Sequence, residues 1–203
     1  FIKVFDSSTN AVNQGGFRRG ANMGILPYTH PDIFEFVGEK ANNGGLVNFN
    51  LSVGVDDAFM ESVKNDEYFK LVNPKNEGKV PLEERLWQNK NLLREGEEGF
   101  EDLFRELDPS LILSENGEQV INVATREVVG KIGGDGEILI SSKALFDYIV
   151  DCAWRDGCPG IINLGRLEQN NKTPQVGRID STNPCGEQPL LPYEACNLGG
   201  INL

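Results

Sequence analysis

The residue types with the most chemistry gather near the end of the sequence, in Asp180-Ser181-Thr182-Asn183-Pro184-Cys185-Gly186-Glu187-Gln188-Pro189 and in Tyr193-Glu194-Ala195-Cys196-Asn197-Leu198. A carboxylate can take a proton, an amide can orient a ligand, and a thiol can serve catalytic or redox chemistry. Pro184 and Pro189 fix φ on either side of the Cys-Gly-Glu core and forbid a regular helix or a central strand there. The result is a stiff loop able to hold a thiol and a carboxylate close together. On extended backbone Asn183, Cys185 and Glu187 fall at i, i+2 and i+4 and point the same way. That spacing makes a candidate site, although a proline-rich surface turn with an idle cysteine accounts for it equally well.

The four cysteines, Cys152, Cys158, Cys185 and Cys196, all lie in the last third of a chain with no secretion signal at its start. A disulfide scaffold does not suit that context, which leaves catalytic, redox or buried thiols. Cys152 falls on the apolar face of a helix and reads as core. The five-residue gap between Cys152 and Cys158, with no His nearby, disfavours zinc. Near the start, Gln14-Gly15-Gly16-Phe17-Arg18-Arg19-Gly20 reads by itself as an exposed glycine turn with solvated arginines. His30, the only histidine, opens a helix beside Pro31 rather than acting as a base. Asn48 and Asn50 alternate with Phe49 on a strand, where facing an interior and ordinary ladder packing explain them equally.

The elements that must position these residues follow from periodicity. A first helix carries Phe1, Val4, Phe5, Ala11 and Val12, and ends at Gly15-Gly16. An apolar strand over 21–26 leads to a helix with Ile33, Phe34, Phe36 and Val37 on one side, ending near Gly44-Gly45. Val47, Phe49, Leu51 and Val53 alternate as in a strand, and Asp56-Asp57 caps a short helix with Phe59, Met60 and Val63. A Ser-capped helix over 141–155 presents Leu145, Tyr148, Ile149 and Cys152, and residues 159–164 read as a buried strand. Strand alternating with helix is the α/β rhythm.

Between 76 and 125 the character changes: twelve acids against five bases give -7 of the total -12. Leu82, Leu86 and Leu93, then Phe100, Leu103, Phe104 and Leu107, suggest two short amphipathic helices ending at Asp108-Pro109 in an insertion packed on the surface. Across all 203 residues, 39% hydrophobic and 25% charged residues suit one sizeable core or two small ones. The net charge argues against a general nucleic-acid or membrane-surface binder. No apolar run is long enough to span a bilayer, so the chain reads as cytoplasmic. Phe1 in place of Met and the apolar residues at both ends suggest a piece of a longer protein.

Taken together, these residues resemble the catalytic large chain of ribonucleotide reductase. Asn183-Pro184-Cys185-Gly186-Glu187-Gln188 is most similar to its adenosylcobalamin-dependent class. Further matches run in the family's order: Gln14-Gly15-Gly16 with 18–24, His30-Pro31-Asp32-Ile33, Asn48-Phe49-Asn50-Leu51-Ser52-Val53 and 192–198. They cover nearly everything outside the acidic segment.

The resemblance implies an α/β fold: a ten-stranded, glycyl-radical-like barrel of two parallel half-barrels, with a finger loop carrying a radical cysteine into its centre. Residues 1–75 would be the first part of the barrel with a specificity loop, 76–125 an acidic helical insertion, and 126–203 the barrel's continuation with the finger loop. By position Cys185 would become a transient thiyl radical that takes the 3′ hydrogen of ribose. Glu187 would be the base on the 3′ hydroxyl and Asn183 the orienter of the sugar hydroxyls. Sulfur can carry an unpaired electron, which suits the role given to Cys185, and loss of the 2′ water calls for shielding from solvent. Cys196 would be one of a redox pair that becomes a disulfide each turnover, its partner lying before Phe1. Gln14, Gly15, Gly16, Arg18 and Arg19 would form the loop through which a bound effector selects the base.

The implied cofactor is adenosylcobalamin. The implied partners are a ribonucleotide substrate, deoxynucleotide and ATP effectors, a thioredoxin-like reductant and a second copy in a homodimer. The implied role is supply of deoxyribonucleotides for DNA synthesis. Two alternatives stay open: the class whose radical comes from a metal-containing partner subunit, and a catalytically silent nucleotide-binding module.

Overall fold

The computed structural model describes residues 2–12, 20–73, 78–79, 94–96, 98, 100, 110–134, 136–197 and 199–202. The glycine-arginine loop at 13–19 lies outside them, as does most of the pair of helices expected over 82–107. Among the described residues no helix is long and apolar enough to cross a membrane.

The α/β rhythm is realised as α1 (Ile2–Ala11), β1 (Asn22–Pro27), α2 (Ile33–Asn43), β2 (Phe49–Val55), α3 (Asp57–Lys64), and later α4 (Ser142–Asp156), β10 (Gly160–Asn163) and α5 (Leu164–Gln169). Caps set their limits. The Asp56 carboxylate accepts from Phe59 N at 2.8 Å and the Ser141 hydroxyl from Ala144 N at 3.2 Å, satisfying amides that no helical carbonyl reaches. Gly44, at φ 62°, closes α2 in the left-handed region that side chains disfavour.

Strands β1, β2 and β10 form a parallel sheet in the order β1-β2-β10, with Met23 beside Asn50 and Gly160 beside Ser52. Parallel neighbours on both sides make β2 the central, least deformable strand. Its apolar period is as the sequence suggests, but the strand starts at Phe49 and Val47 is left exposed, because Leu46 takes φ 55° and turns the chain.

A second sheet departs from the sequence expectation. Strands β3 (Tyr68–Lys70), β6 (Leu111–Leu113), β7 (Gln119–Asn122), β8 (Val128–Ile132) and β9 (Ile138–Ser141) pair antiparallel in the order β3-β9-β8-β7-β6. Two-residue strands β4 (Val72–Asn73) and β5 (Gly78–Lys79) pair beside it. The described end of the acidic segment, past the helices expected over 82–107, is a β-hairpin. Leu111, Leu113 and Val120 are buried in the main core, and Asn116-Gly117 supplies the turn with Gly117 at φ 70°.

One apolar cluster joins the two sheets: Ile33, Phe34 and Val37 of α2, Val53 and Val55 of β2, Phe59 of α3, and Leu145, Tyr148, Ile149 and Cys152 of α4 meet Val129, Ile138 and Ile140. Tyr148 stacks on Phe34 at 5.7 Å between ring centroids, and its hydroxyl accepts from Asn42 Nδ2 at 3.1 Å. Helix α1 buries none of its residues. Ile2 packs against Leu46, Phe49 and Leu51, and polar contacts add to that hold: Asn48 N donates to Asp6 Oδ1 at 2.8 Å and Asn22 Nδ2 to Thr9 Oγ1 at 2.7 Å.

Two outcomes follow. A Cβ at Gly130 would lie 2.4 Å from the Leu139 carbonyl oxygen, so Gly130→Ala should push β8 from β9. The expected loss in a urea unfolding curve is about 1–3 kcal/mol. Gly134→Ala, with nothing within 4 Å, should stay within about 0.5 kcal/mol of the parent. Burial, with the nearby Cys152 adding to it, pushes the Tyr148 phenol up to about 12. An unfolded tyrosine ionises near about 10, so the unfolded state loses its proton first. Tyr148 should therefore cost stability as pH rises from about 10 toward about 12, and Tyr148→Phe should make that fall in the unfolding midpoints shallower.

Candidate functional site

Strands β11 (Ser181–Thr182) and β12 (Pro189–Leu190) pair antiparallel and make a short hairpin of the stretch singled out by its chemistry. Its tip is not extended backbone. Gly186 N donates to the Asn183 carbonyl at 2.9 Å and closes a four-residue turn, with Gly186 at φ 82°. Nothing lies within 4 Å of a Cβ placed there, so glycine is needed for backbone conformation and not for space.

The turn separates the three residues that alternation would have aligned. Asn183 is buried, and its Oδ1 accepts from Gln188 N at 2.9 Å while its own N donates to Gln188 O at 3.2 Å. The Thr182 hydroxyl donates to the Asn183 carbonyl at 3.0 Å. Asn183 thus staples the loop from within. Cys185 and Glu187 sit on the turn and are exposed in this chain. The shielding expected around the thiol is not supplied by these residues.

What joins this loop to the parallel sheet is Asn50, whose Nδ2 donates to the Pro184 carbonyl at 2.5 Å. Asn48 and Asn50, indistinguishable by sequence, therefore part ways: one secures α1, the other the loop. A cavity of about 960 Å³ runs along β1, lined by Met23, Ile25, Phe36 and Phe49 with Asp180 and Ser181 from the base of the hairpin. Neither Cys185 nor Glu187 lines it, so this hollow reaches the base of the hairpin and not its chemistry-bearing turn.

The other thiols are distinct. Cys152 is fully buried, as its helical face suggests, and burial pushes its thiol up. Cys158 is half-buried with Lys40 Nζ at 3.8 Å, and that ammonium also donates to the Phe49 carbonyl at 2.8 Å. Cys196 is half-buried beyond Tyr193, and Leu191 N donates to Glu194 Oε2 at 2.8 Å to hold that bend. His30 Nδ1 accepts from Asp32 N at 3.1 Å at the entrance to α2, away from the turn. Among the described residues no three His, Cys, Asp or Glu side chains gather to hold a metal ion. Gln14, Gly15, Gly16, Arg18 and Arg19 lie outside the described residues.

One polar cluster was not legible in advance. At the ends of β2 and β10, Asp57 Oδ1 accepts from Asn163 Nδ2 at 2.8 Å and from Arg166 Nε at 2.6 Å. The Asn163 hydrogen bond, reinforced by the Arg166 charge, holds the Asp57 carboxyl below its usual range. The cluster ties α3 to β10 and α5.

The profile of the family described as ribonucleotide reductase, barrel domain, matches residues 1–203. The chain belongs to that family. Among its relatives, the vitamin B12-dependent ribonucleoside-diphosphate reductase of Thermoplasma acidophilum is 39% identical over 204 residues, covering 100% of this chain and 19% of that protein. The enzyme of the same name from Mycobacterium tuberculosis is 35% identical, over 100% of this chain and 21% of its own length. The vitamin B12-dependent ribonucleotide reductase of Rhodopirellula baltica is 28% identical, over 100% and 16%. The chain thus spans about one fifth of the length of these reductases. The parallel strands β1, β2 and β10 do not close a barrel among the described residues.

Proposed function

We propose that this chain carries the radical thiol of an adenosylcobalamin-dependent ribonucleotide reductase, which reduces ribonucleoside diphosphates to 2′-deoxyribonucleotides for DNA synthesis. The observation behind this reading is the exposed Cys185 on a turn stapled by a buried asparagine and pinned to the central strand of a reductase barrel sheet. The relatives' names carry the dependence on vitamin B12 and, in two cases, the diphosphate substrate.

The parts divide by chemistry. As a thiyl radical, the Cys185 sulfur takes the 3′ hydrogen atom of ribose and returns it after the 2′ carbon is reduced. Glu187 accepts the proton of the 3′ hydroxyl. Asn183 has its Oδ1 committed to Gln188 N, so it meets the sugar hydroxyls as a donor through Nδ2, from which nothing accepts among the described residues. Cys196 and a second thiol supply two electrons and two protons: they become a disulfide as the 2′ oxygen leaves as water. A thioredoxin-like reductant then restores the pair.

Adenosylcobalamin would meet this chain at the Cys185 thiol. The described residues hold no ligand cluster for cobalt, but the turn leaves the Cys185 thiol open to a group seated over it. Adenosylcobalamin, when bound, supplies the radical that removes the thiol hydrogen.

Several wider features belong to the same proposal. Strands β1, β2 and β10 are three of ten in a barrel of two parallel halves, and the remainder of a polypeptide about five times as long shields Cys185 and Glu187 from water. The acidic segment 76–125 is set between barrel parts at 1–75 and 126–203, and its strands β6 and β7 join the antiparallel sheet between α3 and α4. Gln14 and Arg18, flanked by the backbone freedom of Gly15 and Gly16, read the base of a deoxynucleotide or ATP effector. The enzyme works in the cytoplasm as a homodimer.

The test uses the full-length protein with a ribonucleoside diphosphate and a dithiol. Deoxynucleotide should form only when adenosylcobalamin is added. Cys185→Ala should abolish product while nucleotide binding persists, and Glu187→Gln should slow turnover by roughly 10²–10⁴. Reduction that continues without the cofactor, or with Cys185→Ala, would overturn the reading.

A further inference from the structure

Of the seven residues of β2, six are buried and Asn50 alone is exposed. Ser52, the strand's other polar residue, is buried, and a strand with parallel neighbours on both sides has little use for an exposed amide unless that amide meets something across the open face. Asn50 meets the loop. Its Nδ2 donates at 2.5 Å to the carbonyl of Pro184, 134 residues away in sequence, and that carbonyl belongs to the peptide bond whose nitrogen is that of Cys185. Among the described residues no other donor reaches it.

The turn's remaining hydrogen bonds are internal. Asn183 with Gln188, Gly186 with Asn183, and Thr182 with Asn183 fix the shape of the tip, but none fixes where the tip sits relative to the sheet. Asp180 and Ser181 rest along β1 at the base of the hairpin. A base resting on β1 and a tip tied to β2 give the loop two attachments, and the second is one peptide bond from the sulfur.

We infer that Asn50 is a positioning residue: its amide sets the depth of Cys185 over the open face of the parallel sheet. This inference rests on the reading of Cys185 as the radical thiol. Radical hydrogen transfer needs sulfur and ribose carbon within near-contact distance, and a misplacement of about 1 Å can cost a hundredfold in rate. Asn50 therefore acts on the chemical step and not on nucleotide affinity.

Two variants of the full-length protein test this, Asn50→Ala and Asn50→Asp. The second is nearly isosteric and removes only the donor, facing the Pro184 carbonyl with a carboxylate instead. Hydrogen exchange of the peptide spanning 181–190 reads the anchor without any turnover. Both variants should exchange roughly fivefold faster there, the effect of losing one neutral hydrogen bond, with β2 and β10 unchanged. In nucleotide reduction both should lose roughly tenfold or more in kcat with KM within about twofold. Unchanged exchange in Asn50→Asp, or faster exchange with an unchanged kcat, would overturn the proposal. A parent enzyme that reduces no nucleotide, while both variants still exchange faster, would sink the functional reading and leave the anchor standing.

Discussion

A thiol that is to react with a carbon atom has to be held from two directions, within its own loop and against the framework beneath it. Asn183 supplies the first hold through Gln188 N, and Asn50 supplies the second through the Pro184 carbonyl. A neutral hydrogen bond contributes only about 1 kcal/mol net, which is small beside a core that buries Phe34, Phe59, Leu145 and Ile149. Neither bond is needed to fold the protein. What they restrict is the place of one sulfur atom, which a weak but directional contact does well.

That restriction is only as firm as the strand it is anchored to. β2 lies between β1 and β10, and Val53 on its other face is fully buried in the cluster shared with α2, α3 and α4. Movement of β2 would disturb that whole cluster, so the carrier of Asn50 is among the stiffest parts of the chain. The antiparallel sheet adds Val129, Ile138 and Ile140 to the same cluster, and Leu111, Leu113 and Val120 from the end of the acidic segment join them. Helix α1 is held more lightly, by Ile2 against Leu46, Phe49 and Leu51 and by polar bonds to Asn22 and Asn48.

Much of this was legible in the sequence where the signal is local. Asp56 and Ser141 announce helix starts, Gly44 announces an end, and the face holding Leu145, Tyr148, Ile149 and Cys152 identifies a core helix. The Asn-Pro-Cys-Gly-Glu-Gln run points to the family now matched over the whole chain. The hairpin at 111–122 is written in Asn116-Gly117 and in the short apolar runs on either side of it, a local signal that the charge of the whole acidic segment hides. Alternation along 183–187 gives way to a turn, because a glycine two residues after a proline favours one and Gly186 takes φ 82°. The different fates of Asn48 and Asn50 could not have been read at all, because their partners lie 42 and 134 residues away and only the folded chain brings them together.

The central claim is that the unpaired electron resides on the Cys185 sulfur during turnover. Rapid-freeze electron paramagnetic resonance of the full-length protein, made with cysteine deuterated at the β carbon, addresses it directly. A transient signal should narrow on deuteration, survive Cys158→Ser and vanish with Cys185→Ser. A signal indifferent to deuteration, or one that persists with Cys185→Ser, would contradict the account.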